Sequence, residues 1–465
     1  MYHQISEEDV AYFKTIVKEH NLYVGSQIHK QYTHDEMELY GKYLPDVVIK
    51  VNNTDEIQKI VKYCNEHRIP ITPRGSGTGL CGGCVALYGG VVLSTEKMKK
   101  IIEIDKETMT AVVEPGVLLM ELAATVEAEG LLYAPDPGEK SATIGGNVVT
   151  NAGGMRAVKY GVTRDYVKGV EVVLPSGELV KFGGKTVKNS SGYNLKDLIV
   201  GSEGTLGIVS KIYLKLLPKP NKMISLLIPF KSLKHCLELV SPILNLPNIP
   251  TTVEFMEQEV ILDSQQFLGK GFPSNEHPAY LIVSYSGNNQ AELDLMIDAC
   301  AKLSLDAGAI DVFISDTQER QSSIWSARGA FLEAIKSSTT IMDECDVALA
   351  INDIYSFMEF VKELSLQEKV RIRSFGHAGD GNLHIYVCKD DMDDEQWNIT
   401  VKRCMDEMYK KAQDLNGQVS GEHGIGHAKK IYLEASLGET QIALMQGIKD
   451  VFDPHQIMNP GKIIR

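Results

Sequence analysis

The sequence predicts an α+β protein of more than one domain, and three observations carry that reading. Short runs rich in β-branched residues alternate with glycine-rich loops as far as the proline-bearing stretch LLPKPNK at 216–222. Beyond it, strands alternate with amphipathic helical stretches, the pattern of a mixed sheet covered by helices. A helical run, QWNITVKRCMDEMYKKAQDLNG, then ends at Gly417 ahead of the loop VSGEHGIG. These breaks divide the chain into a first domain over 1–220, an α+β second domain over 221–420 and a C-terminal segment over 421–465.

Taken in order, MYHQISEEDVAYFKTIV offers Ser6 and Asp9 as a helix-capping pair and lacks the basic and apolar regions of a secretory signal. DVVIKV (46–51), GGVVLST (89–95) and MTAVVEPG (109–116) read as strands. VEVVLPSGELVKF (170–182) reads as a hairpin turned by Pro175, Ser176 and Gly177. In the second domain ISLLIPF (224–230) and PAYLIVSYSG (278–287) are strands, separated by helical stretches at 232–245, 291–306 and 317–336.

Sixty-one acidic residues against 47 basic ones give a formal charge of −14, which argues against sequence-independent nucleic-acid binding and against attraction to anionic lipid. An anionic substrate therefore needs local positive charge. No apolar run approaches the roughly 20 residues that span a bilayer, so no transmembrane segment is expected. Eight cysteines without a disulfide-framework spacing fit a reducing compartment, and the cytoplasm is the expected location. Cys81 and Cys84 form a C-x-x-C, read first as two small buried loop residues, with a redox disulfide or half of a metal site as the lesser alternative.

RGSGTGLCGGC (74–84) contains a literal G-x-G-x-x-G at Gly77, Gly79 and Gly82. A Rossmann fingerprint needs a strand before the glycines and a helix after them. RIPITPR supplies the strand, but GCVALYGGVVLS is a poor helix and a good loop into another strand. No Gly-Lys-Ser/Thr closes a Walker A loop either. What remains is a loop in which Gly75, Gly77 and Gly79 alternate with Ser76 and Thr78, leaving backbone N–H groups to converge on a phosphate. Two further stretches, 135–161 and 188–212, are crowded with glycine and small polar residues. Such loops approach a large planar cofactor closely, with backbone donors at Gly145, Gly146 and Gly153 and side-chain groups at Ser141, Thr143, Asn147 and Asn151.

In sequence order, PRGSGTG, PDPGEKSATIGGNVVTNAGG, YGVTRDYVKGVEVVLPSGE and DLIVGSEGTLGIV resemble the FAD-binding domain of the vanillyl-alcohol oxidase and p-cresol methylhydroxylase superfamily. The resemblance implies a two-part FAD-binding domain of that type. It places the 74–79 loop around the pyrophosphate, the 135–154 segment along the cofactor and Ile208 near the adenine. The FAD contacts it implies are Arg74, Gly75, Ser76, Gly77, Thr78, Gly79, Pro135, Asp136, Ser141, Thr143, Gly145, Asn147, Asn151, Gly154, Glu203, Gly204, Ile208 and Asn459. Some relatives hold FAD covalently through a His in the 74–84 region or a Cys further on. The loop here has no His, so noncovalent FAD is expected.

Four histidines fall in two glycine-flanked motifs, FGHAGDGNLHIYV (375–387) and SGEHGIGHAKK (420–430). His377 and His384 bracket a turn at Gly379, Asp380 and Gly381, so a hairpin brings both imidazoles to one end of a sheet. Two imidazoles and a carboxylate form a usual divalent-metal set, with Glu422 as the third ligand. On an extended segment Glu422 and His423 point to opposite sides, which leaves His423 for other work. His427 and His455 are read as structural.

This half resembles the flavin-linked D-2-hydroxyacid dehydrogenases, which include D-lactate dehydrogenases and the flavin subunit of glycolate oxidase. The resemblance implies that His377, His384 and Glu422 hold zinc, iron or manganese and that His423 is the catalytic base. It also implies that Arg328, in a W-x-x-R context after Trp325, binds the substrate carboxylate. The resemblance further implies that Asn382, Asn459 and Lys462 complete the pocket and that the C-terminal segment returns to the flavin site. Some members place a lysine against the substrate acid where this chain has DECDVALA with Glu344, Cys345 and Asp346, which leans the expectation from a diacid toward D-lactate.

The expected activity is FAD- and metal-dependent oxidation of a small D-2-hydroxy acid to the 2-oxo acid, with electrons passed to an electron-transfer flavoprotein or an iron–sulfur subunit. A glycolate dehydrogenase or oxidase subunit is the alternative within the class. The alternatives outside it are a metal-dependent hydrolase that uses the glycine loops for a nucleotide substrate and a catalytically silent flavin-binding scaffold.

Overall fold

The computed structural model describes residues 2–464, which form two compact units. The first unit comprises the chain up to Gly153, Val162–Lys219 and the chain from Glu422 on; the second comprises Gly154–Gly161 and Pro220–Gly421.

In the first unit the helix Glu7–Ile16 opens with the expected capping box: Ser6 Oγ accepts from Asp9 N, and Ser6 N donates to Asp9 Oδ2 at 2.7 Å. Strands β1 (Leu22–Val24), β2 (Val47–Lys50), β3 (Ile71–Arg74) and β4 (Val91–Ser94) form one sheet in the order β1-β2-β4-β3. β4 runs parallel to both β2 and β3. The helix Thr54–His67 carries the chain from β2 back to β3, and the loop over 75–90 carries it from β3 to its parallel neighbour β4. Asn53 caps that helix by accepting from Glu56 N at 3.0 Å, and Arg68 ends it in the left-handed region at φ 55°. Its stripe of Ile57, Ile60, Val61 and Cys64 shares one core with Val47, Ile49, Ile71, Val91 and Leu93. Each fully buried aliphatic side chain there contributes roughly 1.5–3 kcal/mol.

A second sheet of this unit has β5 (Ile101–Asp105), β6 (Thr110–Val113), β8 (Val167–Val173), β9 (Leu179–Gly183) and β10 (Ile208–Lys215) in the order β5-β6-β10-β8-β9, while β7 (Leu131–Leu132) pairs with β11 (Leu217–Pro218). The β8–β9 hairpin turns at Gly177, whose φ of 85° suits glycine and whose N–H donates to Leu174 O at 2.8 Å. The C-terminal segment extends the first sheet: Ile71 N donates to Ile457 O at 2.8 Å and Asn459 N donates to Ile71 O at 2.7 Å. This pairing sets Asn459 beside the start of β3.

The second unit is built on one antiparallel seven-stranded sheet. Its strands are β12 (Lys222–Phe230), β13 (Thr252–Glu257), β14 (Ala279–Gly287), β15 (Phe313–Ser315), β16 (Met342–Ala348), β17 (Arg371–His377) and β18 (Asn382–Cys388), in the order β15-β12-β14-β13-β17-β18-β16. The helices Gln290–Asp306, Gln318–Gly329, Phe331–Ser337 and Asp394–Asp414 fall in the amphipathic stretches read from the sequence. The short segment Gly154–Gly161, part of the 1–220 domain in the sequence reading, joins this unit because Lys159 Nζ donates to Ser286 O at 3.2 Å and Tyr160 OH lies 3.4 Å from Ser286 Oγ. Among the described residues, no helix is long and apolar enough to cross a membrane.

Candidate active site

In the first unit no helix follows the glycine run: residues 75–90 are loop and turn leading into β4, as the composition of GCVALYGGVVLS requires. The loop lies tight against its surroundings. A Cβ on Gly75 would sit 2.1 Å from Thr143 Oγ1, and one on Gly77, at φ 82°, would sit 2.0 Å from the Arg74 guanidinium. Arg74 is buried with its guanidinium turned inward, donating to Gln31 O at 2.6 Å, His34 O at 2.9 Å and Cys84 Sγ at 3.0 Å. It braces the loop from within. Asp35 lies beneath, accepting from Gly82 N and Met37 N, and burial raises its pKa to about 6. Among the described residues no disulfide joins any of the eight cysteines, and Cys81 Sγ donates to Gly424 O at 3.2 Å.

The other residues implied as cofactor contacts divide into two groups. Thr143 Oγ1 is occupied in capping Ile144–Thr150, Asn151 Oδ1 accepts from Arg164 N at 2.9 Å, and Asp136 pairs with Lys140. Glu203 is also committed, since its two carboxylate oxygens accept from Ile425 N and Gly426 N, each at 2.7 Å. Burial pushes the Glu203 carboxyl upward against those bonds. By contrast, Asn147 Nδ2, Ser202 Oγ and Asn459 Oδ1 are buried polar atoms without a hydrogen-bond partner among the described residues. Asn459 Nδ2, on the same amide, donates to Glu203 O at 2.7 Å and Gly83 O at 2.9 Å. A cavity of about 260 Å³ in this unit is lined by Ser202, Thr205, Leu206, Asn459 and Lys462 among others. Burial lowers the Lys462 pKa to about 7 while its Nζ donates to Val85 O at 2.6 Å.

The loop carrying Glu422 and His423 corrects one expectation. The stretch is bent rather than extended, and the two side chains approach, with His423 Nε2 3.6 Å from Glu422 Oε1. Glycines at φ 82° (Gly424) and 53° (Gly426) turn the chain there, so the alternation of a strand does not apply. A Cβ on Gly153 would lie 2.8 Å from Glu422 Oε2, which sets this loop against the 135–154 segment. His427 packs under the glycine loop: its ring stands edge-on to Tyr40 and Tyr43, and burial lowers its pKa to about 4.

The second unit gathers the other candidates on one face of its sheet. The β17–β18 hairpin turns at 378–381, and pairing sets His384 opposite Phe375 and Asn382 opposite His377. Cross-strand partners share a face, so both histidines point the same way, with ring centroids 5.1 Å apart. On the β16 side Asp346 pairs with His384 and Glu344 with Tyr386. On the β13 side Met256 pairs with Phe375, which by period-two alternation puts Glu254 on this face as well.

The result is a row of buried charge where a sheet core is ordinarily apolar. Glu254 Oε1 lies 2.8 Å from His377 Nδ1, and Glu254 Oε2 accepts from Arg328 Nε at 2.8 Å and Nη2 at 2.6 Å. Burial alone would raise the Glu254 carboxyl, but His377 and Arg328 hold it below the usual range. Glu344 Oε1 accepts from Tyr386 OH at 2.6 Å and lies 3.5 Å from His384 Nδ1. Asp346 accepts from Asn382 Nδ2 at 2.7 Å, Ser420 Oγ at 2.7 Å and Gly421 N at 3.2 Å. When the His377 ring is neutral, Glu254 as acceptor places its proton on Nδ1 and leaves the lone pair on Nε2, the state that ligates a metal. Sequence reading missed Glu254 altogether; VEFMEQ shows two acids, Glu254 and Glu257, in a short strand with nothing to set Glu254 apart.

Comparisons with known proteins fit this geometry. Residues 219–463 match the FAD linked oxidases, C-terminal domain family, and residues 45–183 match the FAD binding domain family. The chain belongs to the FAD-linked oxidases. It is 48% identical over 467 residues to a D-lactate dehydrogenase of Anaerostipes hadrus, covering 99% of this chain and 98% of that protein. It is 40% identical to the glycolate oxidase subunit GlcD of Bacillus subtilis (93% and 91% covered) and 37% identical to a D-lactate dehydrogenase of Archaeoglobus fulgidus (90% and 91% covered). Among solved structures, p-cresol methylhydroxylase with substrate bound superposes with a TM-score of 0.83 at 18% identity over 100% of this chain and 98% of that one, a likeness of fold. The unpartnered atoms of Asn147 and Asn459 and the close-set glycines lie among the residues read from the sequence as cofactor contacts.

Proposed function

We propose that this FAD-linked oxidase converts a small D-2-hydroxy acid, D-lactate above all, to the 2-oxo acid. The observation that carries the proposal is the buried face on which the imidazoles of His377 and His384 stand beside the Arg328–Glu254 pair, in a chain similar to proteins named D-lactate dehydrogenase. FAD, bound noncovalently along the 74–79 and 135–154 loops, supplies the two-electron acceptor, and a divalent ion, zinc, iron or manganese, supplies Lewis acidity.

His377 and His384 hold that ion with Glu422. Gly421, whose N–H bonds Asp346 on the strand beside His384, directly precedes Glu422 in the chain, which supports the assignment. Arg328 neutralises the substrate carboxylate, a requirement in a chain of net charge −14. His423 accepts the hydroxyl proton as the general base, a contribution of roughly 10²–10⁴-fold. Glu344 and Asp346, buried on the His384 face, favour a monoacid because a second substrate carboxylate would meet like charge there. Electrons then pass to a partner such as an electron-transfer flavoprotein or iron–sulfur subunit, in keeping with the GlcD relative being named a subunit. Family membership leaves the hydrolase alternative without support.

The test is an anaerobic titration of the yellow holoprotein with D-lactate, L-lactate, glycolate and D-2-hydroxyglutarate, following the flavin band near roughly 450 nm. We expect D-lactate to bleach it at least about tenfold faster than the diacid, a difference of about 1.4 kcal/mol. Preferential bleaching by glycolate would move the assignment to the GlcD-type activity, and bleaching by no acid would reject the substrate class.

A further inference from the structure

We infer that Glu254 is a positioning residue that fixes two parts of the site at once: the tautomer of His377 and the orientation of Arg328. The inference rests on the reading of His377 as a metal ligand and Arg328 as the substrate anchor, and it assigns to both a common support.

Glu254 is fully buried on β13, and each part of its geometry is directional. Oε2 takes two converging donors from Arg328, Nε at 2.8 Å and Nη2 at 2.6 Å, which restrains the guanidinium on that side. Oε1 and Oε2 lie 2.8 Å and 3.0 Å from His377 Nδ1, which fixes the ring. Arg328 is held further by the face of Phe375, 4.5 Å from its guanidinium carbon, and Phe375 is the cross-strand partner of His384. One carboxylate thus joins β13, the helix Gln318–Gly329 and the β17–β18 hairpin.

The chemistry explains why the residue is a glutamate. A carboxylate offers acceptors on both oxygens, so it serves the Arg328 donors and the His377 N–H together. A glutamine offers one acceptor and one donor group. With its oxygen on Arg328, its NH₂ faces His377 Nδ1, and the ring meets that donor by moving its proton to Nε2, which removes the lone pair a metal requires. With its oxygen on His377, the NH₂ instead opposes the guanidinium. Glu254→Gln therefore breaks one half of the site whichever way it turns.

The experiment titrates Zn²⁺ into metal-stripped holoprotein carrying FAD, for the wild type, Glu254→Gln and Glu254→Asp, with kcat and KM for D-lactate measured alongside. For Glu254→Gln we expect Zn²⁺ affinity to fall about 10–100-fold and KM to rise while FAD content stays at the wild-type level. Glu254→Asp, which keeps both acceptors on a shorter arm, recovers part of each loss. Should the variants not fold, ¹⁵N-histidine spectra of the wild type decide: an Nδ1–H tautomer for His377 supports the inference, and an Nε2–H tautomer overturns it. Unchanged Zn²⁺ affinity and KM in Glu254→Gln overturn the inference alone. A wild type that takes up no Zn²⁺ overturns it together with the metal reading.

Discussion

The two units hold their candidate residues by different means. In the first, Arg74, Glu203, Asn151 and Thr143 spend their polar side-chain groups on bracing close-packed glycine loops, and the candidate residues Glu422 and His423 sit on such a loop. In the second, the candidate groups His377, His384 and Glu254 are side chains rooted in adjacent strands, and the backbone is consumed by the sheet ladder. The difference teaches where each unit is vulnerable. A close-packed glycine loop fails when a side chain is added, whereas a charged sheet face fails when one is removed.

The largest effect should come from His384→Ala. Loss of a proposed ligand should lower kcat/KM for D-lactate by about 10³-fold or more while absorbance near roughly 450 nm shows FAD fully retained. Loss of FAD in that variant would break the division of labour. Arg328→Met comes next. It strands the buried Glu254 carboxylate, at a cost of about 3–5 kcal/mol in unfolding free energy, and raises KM strongly. A variant as stable as the wild type in urea titration would show that the pair is dispensable to the fold.

Gly145→Ala probes the other unit. Its Cβ would sit 2.6 Å from Pro115 Cβ and 2.9 Å from Pro115 O, so we expect about 1–3 kcal/mol of destabilisation and reduced FAD occupancy, with Zn²⁺ binding preserved. The smallest effect is on pH dependence. His427 has a folded pKa of about 4, lowered by burial from 6.5, so its contribution to stability is complete above pH 6.5 and is lost as the pH falls through 4. His427→Gln should flatten the fall in melting temperature between those values. An unaltered slope would show that burial of His427 does not govern the acid limb.

Most strands and helices were legible in the sequence because their periodicity is local. ISLLIPF and PAYLIVSYSG became β12 and β14, and the loop after Gly82 stayed a loop because glycine and β-branched residues disfavour helix there. The His377–His384 hairpin was legible for the same reason, since both residues flank one short turn. Glu254 was not, because it meets His377 across 123 positions of chain and nothing in VEFMEQ marks it. The inward turn of Arg74 was likewise hidden, since its partners are the carbonyls of Gln31 and His34, groups that every sequence carries. Glu422 and His423 were legible as residues but not in their arrangement, which left-handed glycines at 424 and 426 decide. Local pattern reveals elements and motifs; the bracing of side chains by distant backbone emerges only in the fold.

The most direct test of the whole account is the anaerobic rate of flavin bleaching by D-lactate in holoprotein before chelation, after chelation and after Zn²⁺ or Mn²⁺ is restored. The account predicts rapid bleaching, a loss of about 10²-fold or more on chelation with FAD still bound, and recovery when the ion returns. Bleaching that proceeds at the same rate in metal-stripped protein would contradict it, and would leave the charged face of the second unit without its proposed role.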